Sequence, residues 1–232
     1  MVITEAIILA GGLGTRLREA VPDLPKCMAP VNGHPFLYYV INHLQDEGIK
    51  NFIFALGYKS ELIVQYLEEN FPSLPFKISL EKEPLGTGGA IKRACTLADE
   101  KSVLVTNGDT LFKIDVTELA GFHSLSGANC TLSLKCMENF DRYGVVELGE
   151  DCAITSFKEK AFYTSGLING GMYALHVQKF LDEEALPEKF SFEKDYLEAY
   201  YDKRRMFGIE QDGYFIDIGI PEDYERAQAE LK

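Results

Sequence analysis

The chain is predicted to fold as an α/β protein in three layers, α/β/α, with helices covering both faces of a mostly parallel, mixed sheet. Two observations carry this. Short apolar runs of strand length alternate with amphipathic stretches of helix length. The strands of the first half run into glycine- and acid-bearing loops, as the ligand-binding ends of open, Rossmann-like sheets do. Length is the third constraint. The 232 residues contain no linker, repeat or low-complexity segment, so one continuous domain over residues 1–232 is expected.

The elements follow in order. Glu5 to Ala10 is a buried-strand pattern, EAIILA. His34 to Gly48 reads as a helix with Phe36, Leu37, Val40, Ile41 and Leu44 on one face. Asn51 to Leu56 reads as a strand, Ser60 to Asn70 as a helix, Phe76 to Leu80 as a strand, and Thr87 to Ala98 as a helix entered through glycines. Ser102 to Thr106 is a strand that ends on Asn107-Gly108-Asp109. The second half is richer in strands: Ala128 to Lys135, Tyr143 to Leu148, Ala153 to Phe157 and Gly171 to Leu175. Helices are expected at Val177 to Glu184, Glu193 to Tyr200 and Pro221 to Leu231. Ligands are then expected at the loops starting at Gly11, Glu81, Asn107 and Lys158.

Composition narrows the function. An apolar share of 46% and a charged share of 25% are those of an ordinary globular protein. No stretch is apolar and long enough to span a bilayer and no basic leader precedes the first strand, so a cytoplasmic protein without a membrane partner is expected. Five cysteines without a close C-x-x-C pair give neither a disulfide framework nor a zinc ribbon. A net charge of -13 repels nucleic acid, and any phosphate site must gather its few cations locally.

The first strand leads into Leu9-Ala10-Gly11-Gly12-Leu13-Gly14-Thr15-Arg16-Leu17, with Pro25-Lys26 behind it. Glycines let the backbone approach a ligand and offer N–H groups to phosphate oxygens. Arg16 adds a planar fork and Lys26 a point charge. The loop is neither of two familiar phosphate binders. Leu17 stands where a dinucleotide fingerprint needs its third glycine, and the G-K-[ST] of a P-loop is absent. A second glycine cluster is Glu81-Lys82-Glu83-Pro84-Leu85-Gly86-Thr87-Gly88-Gly89, which by itself is equally a plain helix entry. Asp109 closes a strand and Asp217 interrupts the apolar Ile216-Asp217-Ile218. Either acid could be structural. A buried carboxylate needs a partner, however, and a divalent cation is the economical one for the pair.

Leu9 to Arg16 followed by Pro25-Lys26 resembles the signature L-A-G-G-x-G-T-R-L…P-K of the nucleotide-sugar pyrophosphorylases, the sugar-1-phosphate nucleotidyltransferases. The resemblance continues through Leu85 to Gly89, Arg142-Tyr143-Gly144, Phe157 to Lys160, Asn169-Gly170-Gly171 and Tyr214 to Asp223, spanning residues 9 to 223 in the family's order. Two departures stand out: Ala161 replaces a proline after Lys160, and Ile220 a threonine in D-I-G-T-P-E-D.

The resemblance implies the nucleotide-diphospho-sugar transferase fold, with a nucleotide half about 1–112 and a sugar-phosphate half about 113–232. It implies nucleotide contacts from Leu9, Gly11, Gly12, Gly14, Thr15, Arg16, Lys26, Glu81, Gly86, Thr87, Asn107 and Gly108. Sugar-phosphate contacts would come from Gly144, Glu159, Lys160, Asn169 and Gly170. Arg16, Lys26 and Lys160 would be the catalytic cations, and Asp109 and Asp217 the ligands of Mg²⁺.

The string Leu85 to Gly89 is similar to that of guanylyl-transferring members. Glu83 to Ile91, Phe140 to Gly144, Gly166 to Gly171, Lys189 to Glu193 and Tyr214 to Tyr224 resemble members that act on a manno-heptose 1-phosphate. The implied substrates are GTP and that sugar phosphate, and the implied product is GDP-heptose for surface polysaccharide. Mannose 1-phosphate, or a uridylyltransferase, is the alternative, and the resemblance leaves a homo-oligomer open. A glycosyltransferase on the same fold would want D-x-D, and Asp109-Thr110-Leu111 lacks the second acid. A non-catalytic relative would have no need of Arg16, Lys26, Asp109 and Asp217. Cys27 is not expected to act as a nucleophile, since the chemistry needs no covalent enzyme intermediate.

Overall fold

A computed structural model of the chain describes residues 2–12 and 23–232. Its centre is a seven-stranded sheet. The strands are β1 (Glu5–Leu9), β2 (Asn51–Leu56), β3 (Phe76–Leu80), β4 (Ser102–Asn107), β5 (Cys130–Phe140), β6 (Tyr163–His176) and β7 (Met206–Glu210). Their spatial order is β7-β5-β6-β4-β1-β2-β3. All neighbours run parallel except β6, which is antiparallel to both β4 and β5, so the sheet is mixed and mostly parallel.

The helices are α1 (Phe36–Asp46), α2 (Ser60–Asn70), α3 (Gly86–Cys95), α4 (Val116–Ser126), α5 (Val177–Leu181) and α6 (Pro221–Glu230). Alternation along β1 sends Ala6 and Ile8 into one core with α1, α2, α4 and α6, and Ile7 into the other with α3, α5 and the segment Phe192–Glu198. Each fully buried Phe, Leu or Ile in these layers contributes about 1.5–3 kcal/mol. Among the described residues no helix is long and apolar enough to cross a membrane.

Several boundaries differ from the sequence expectation for identifiable reasons. The first helix starts at Phe36 because His34–Pro35 pairs with Pro30–Val31 around a turn with positive φ at Asn32 and Gly33. α3 stops at Cys95. Beyond it Thr96, Leu97 and Ala98 donate three residues back, a tightened 3₁₀ turn rather than three more helical residues. The stretch expected at Glu193 to Tyr200 is a π-helix over Phe192–Glu198, capped by Ser191, whose side chain accepts from Lys194 N. The strands expected at Ala128 to Lys135 and Gly171 to Leu175 are pieces of the longer β5 and β6. Their outer ends pair with each other from Cys136↔Leu167 to Phe140↔Tyr163, where polar and charged residues break the apolar run. Of Tyr143 to Leu148 only Val146–Leu148 is regular strand, hairpinned with Ile154–Phe157.

One small pairing matters most for the site. Thr110–Phe112 runs antiparallel to Phe215–Asp217, with Asp217 opposite Thr110 and Ile218 N donating to Asp109 O at 3.1 Å. This ribbon sets the two isolated acids of the sequence side by side.

Candidate active site

The cleft opens at the carboxyl ends of β1, β2 and β4, with a volume of about 730 Å³. Leu9, Gly11, Gly12, Glu81, Gly86, Thr87, Asn107 and Asp109 line it, as do Gly57 and Tyr58 from the loop after β2. Gly14, Thr15 and Arg16 lie outside the described residues. The loops after β1 and β2 touch directly, since a Cβ on Gly11 would stand 3.1 Å from Gly57 N. A side chain at either position would crowd the facing backbone, which would have to give by a few tenths of an ångström. Gly57 lines the cleft although it belongs to none of the motifs, and its signal in the sequence is a glycine at a strand's carboxyl end. Gly108 N donates to Leu9 O at 2.8 Å, carrying the chain across the end of β1 to Asp109.

Lys26 opens a 3₁₀ turn, Lys26–Met28, anchored by buried Cys27 and Met28. Its ammonium donates to Asp109 Oδ2 at 2.5 Å and to Asp217 Oδ1 at 3.3 Å. Asp217 Oδ1 also accepts from Gly219 N at 2.8 Å, which fixes the carboxylate. The three side chains are 15%, 31% and 26% exposed, so the cluster is reached by solvent, and its Asp109 lines the cleft. It carries one positive and two negative charges. Burial, with Asp109's charge adding, pushes the Cys27 thiol up to about 12, so it stays protonated.

The loop leading into α3 is held by internal bonds. Glu81 Oε2 accepts from Leu85 N at 2.9 Å, while its other oxygen faces Gly11. Gly86 has a φ of +72°, and a side chain there would collide with Phe190 O at 2.5 Å. The Thr87 hydroxyl donates to Glu193 Oε2 at 2.7 Å and accepts from Phe192 N at 2.9 Å. Its polar atom is thus committed to the start of the π-helix.

On the sugar-phosphate side, Gly144 presses on the loop expected to hold a phosphate, for its Cβ would fall 2.2 Å from Lys158 O. Glu159 and Lys160 are exposed on that loop, whereas the neighbouring Lys158 pairs with Glu147. Asn169 donates to the Tyr173 hydroxyl at 2.9 Å and accepts from Gly171 N at 3.0 Å. Gly170 leaves room for the Phe112 ring, 2.4 Å from where its Cβ would be. Tyr143 meets Phe215 edge-on, on the strand that carries Asp217. Burial, with that carboxylate adding, pushes its phenol up to about 12. The structure therefore gathers Lys26, Asp109 and Asp217 in one cluster, and it commits Thr87 and Asn169 to internal hydrogen bonds.

Comparison with known proteins identifies the family. The family described as nucleotidyl transferase matches residues 5–232. The chain is 46% identical to the D-glycero-alpha-D-manno-heptose 1-phosphate guanylyltransferase of Aneurinibacillus thermoaerophilus, over 98% of both chains. It is 47% identical to the enzyme of that name from Campylobacter jejuni, over 95% of this chain and 96% of the other. Among solved structures, HddC from Yersinia pseudotuberculosis complexed with GMP-PN superimposes with a TM-score of 0.87 at 36% identity, covering 99% of this chain and 100% of that one. The chain belongs to the nucleotidyl transferase family.

Proposed function

We propose that the protein joins GTP to D-glycero-α-D-manno-heptose 1-phosphate, giving GDP-heptose and pyrophosphate, in the cytoplasm. The observation that carries this reading is near-full-length identity of 46% and 47% to two guanylyltransferases of that name. The cluster of Lys26, Asp109 and Asp217, whose Asp109 lines the cleft, supports it.

The reaction is an in-line displacement. A phosphate oxygen of the sugar 1-phosphate forms a bond to the α-phosphorus of GTP, and the bond from that phosphorus to the bridging oxygen breaks. Pyrophosphate leaves with the electron pair. The attacking oxygen is already ionised, so no general base is needed. Both reactants are anions, and the protein's work is to bring them together and to offset the charge that develops.

Asp109 and Asp217 fit a divalent cation. They are hard oxygen donors converging on one point, and no third acid, His or Cys among the described residues completes a cage. That suits Mg²⁺, which takes one or two carboxylates and leaves its other positions to phosphate oxygens and water. Held there, Mg²⁺ would supply charge neutralisation to the triphosphate.

Lys26, drawn from the acids toward the α-phosphate, places a positive charge where the transition state gains negative charge. Exposed Lys160 binds the phosphate of the sugar and Glu159 a sugar hydroxyl. Gly11 and Gly12 admit the nucleoside, with Arg16, Gly14 and Thr15 on the outer phosphates. The Glu81 oxygen beside Gly11 accepts from the guanine edge.

A matrix of four nucleoside triphosphates against mannose, glucose and manno-heptose 1-phosphates, read by pyrophosphate release, tests the reading. GTP with the heptose phosphate should give the highest kcat/KM. Preference for mannose 1-phosphate would replace the sugar assignment, preference for another base would replace the nucleotide, and inactivity with every pair would sink the proposal.

A further inference from the structure

Asp223 and Arg142 have no part in the chemistry described so far. Asp223 lies in the first turn of α6 and is only 8% exposed. A carboxylate this buried persists only when paired. Its oxygens are divided between two guanidinium groups: Arg142 Nη1 donates to Oδ2, and Arg226 Nη1 lies 2.9 Å from Oδ1. Arg226 is a neighbour within the helix. Arg142 comes from the turn after β5, so its bond ties the sugar-phosphate side of the molecule to α6. From there the contacts run to the acids. The Arg142 guanidinium sits 5.5 Å from the centroid of the Tyr143 ring, and Tyr143 meets Phe215 edge-on at 6.1 Å. Phe215 is on the strand that carries Asp217.

We propose that Arg142 is a positioning residue for the sugar 1-phosphate. Its pairing with Asp223 seats Tyr143 against Phe215 of the ribbon that ends in Asp217, holds the adjoining Gly144 against Lys158, and so fixes the sugar subsite relative to the acids. The inference rests on the reaction proposed above. An ion pair that only held α6 in place would loosen both subsites together. A pair that seats the 143–144 turn acts on one substrate alone.

The test is steady-state kinetics of Arg142→Gln, Asp223→Asn, the double variant and Arg142→Lys, with melting temperatures to establish folding. KM for the sugar 1-phosphate should rise about tenfold in either single variant, while KM for GTP stays within twofold and kcat within threefold. The double variant should be no worse than Asp223→Asn alone, because the Arg142–Asp223 pair is already broken there. Arg142→Lys should recover part of the loss, and it carries the test if the glutamine variant does not fold. A sugar KM within twofold of wild type, or sugar and GTP KM rising together, overturns the assignment. A wild type active only on another sugar 1-phosphate overturns the substrate reading alone, and the variants are then judged on that sugar. A wild type inert on every pair overturns both.

Discussion

The ammonium of Lys26 stands 2.5 Å from Asp109 Oδ2, closer than its 3.3 Å to Asp217 Oδ1, so one cation bridges two acids that would otherwise repel each other. A divalent ion taking those oxygens must compete with it. Lys26→Met should therefore bind Mn²⁺ more tightly than wild type when no nucleotide is present, by about tenfold, or ~1.4 kcal/mol. Titration followed by electron paramagnetic resonance measures this directly. Equal or weaker binding by the variant would show that the lysine does not guard the acids.

Turnover should depend on the same cluster. Lys26→Ala and Asp109→Ala are expected to fold and to lose ~10²-fold in kcat, about 3 kcal/mol of transition-state stabilisation. Circular dichroism with pyrophosphate release separates folding from activity. Wild-type turnover in either folded variant would refute the assigned roles.

The bonds made by Thr87 predict a stability effect. Thr87→Val leaves Glu193 Oε2 and Phe192 N without the hydroxyl they share, a loss of about 1–3 kcal/mol. Thr87→Ser keeps the hydroxyl and should restore most of it in urea denaturation. A valine variant as stable as wild type would mean the two bonds add nothing.

Gly88 packs α3 against the Phe190 ring, which lies 2.1 Å from where a Cβ would be. Gly88→Ala should cost about 1–3 kcal/mol through overpacking, and Phe190→Leu in the same chain should relieve part of that. Thermal melting of the single and double variants decides the point.

Acid sensitivity should trace to buried histidines. Burial, with the charges of His176 and Lys179 adding, holds the His123 imidazole down at about 4, against an ordinary 6.5. A group lowered in this way takes up its proton more readily when unfolded. Its contribution is complete above pH 6.5 and is lost as pH falls toward 4, by up to ~3 kcal/mol. His43 and His176 are also lowered by burial and act in the same direction. Urea midpoints between pH 4.5 and 7.5 should rise with pH, and more shallowly in His123→Gln. An unchanged slope in that variant would remove His123 from the account.

Much of this molecule is readable from residue order, where a local pattern fixes local structure. Phe36, Leu37, Val40, Ile41 and Leu44 recur at helical spacing and all end up buried. Asn51–Leu56, Ser60–Asn70 and Phe76–Leu80 begin and end where composition says.

Other elements hide. α4 shows little apolar periodicity, since Leu125 is 92% exposed while Val116, Leu119 and Ala120 are buried. Its signals are punctuation instead: Asp115 accepts from Glu118 N at the start, and Gly127 closes it in the left-handed conformation. β7 is short and holds Gly208 at its centre, which suppresses a strand reading. The site divides in the same way. The motif residues can be named from sequence, but that Lys26 bridges two acids, and that the polar atoms of Thr87 and Asn169 face inward, depends on long-range pairings that no local string encodes.

The ribbon of Thr110–Phe112 and Phe215–Asp217 brings its two acids from distant parts of the polypeptide. A nascent chain emerging from the ribosome can present its glycine-rich loop and Asp109 long before Asp217 has been made. Such a fragment holds one acid without the other, and so only half of the anionic grip. The paired acids thus arrive only with the closing segment, so an unfinished product of synthesis would lack the complete cluster.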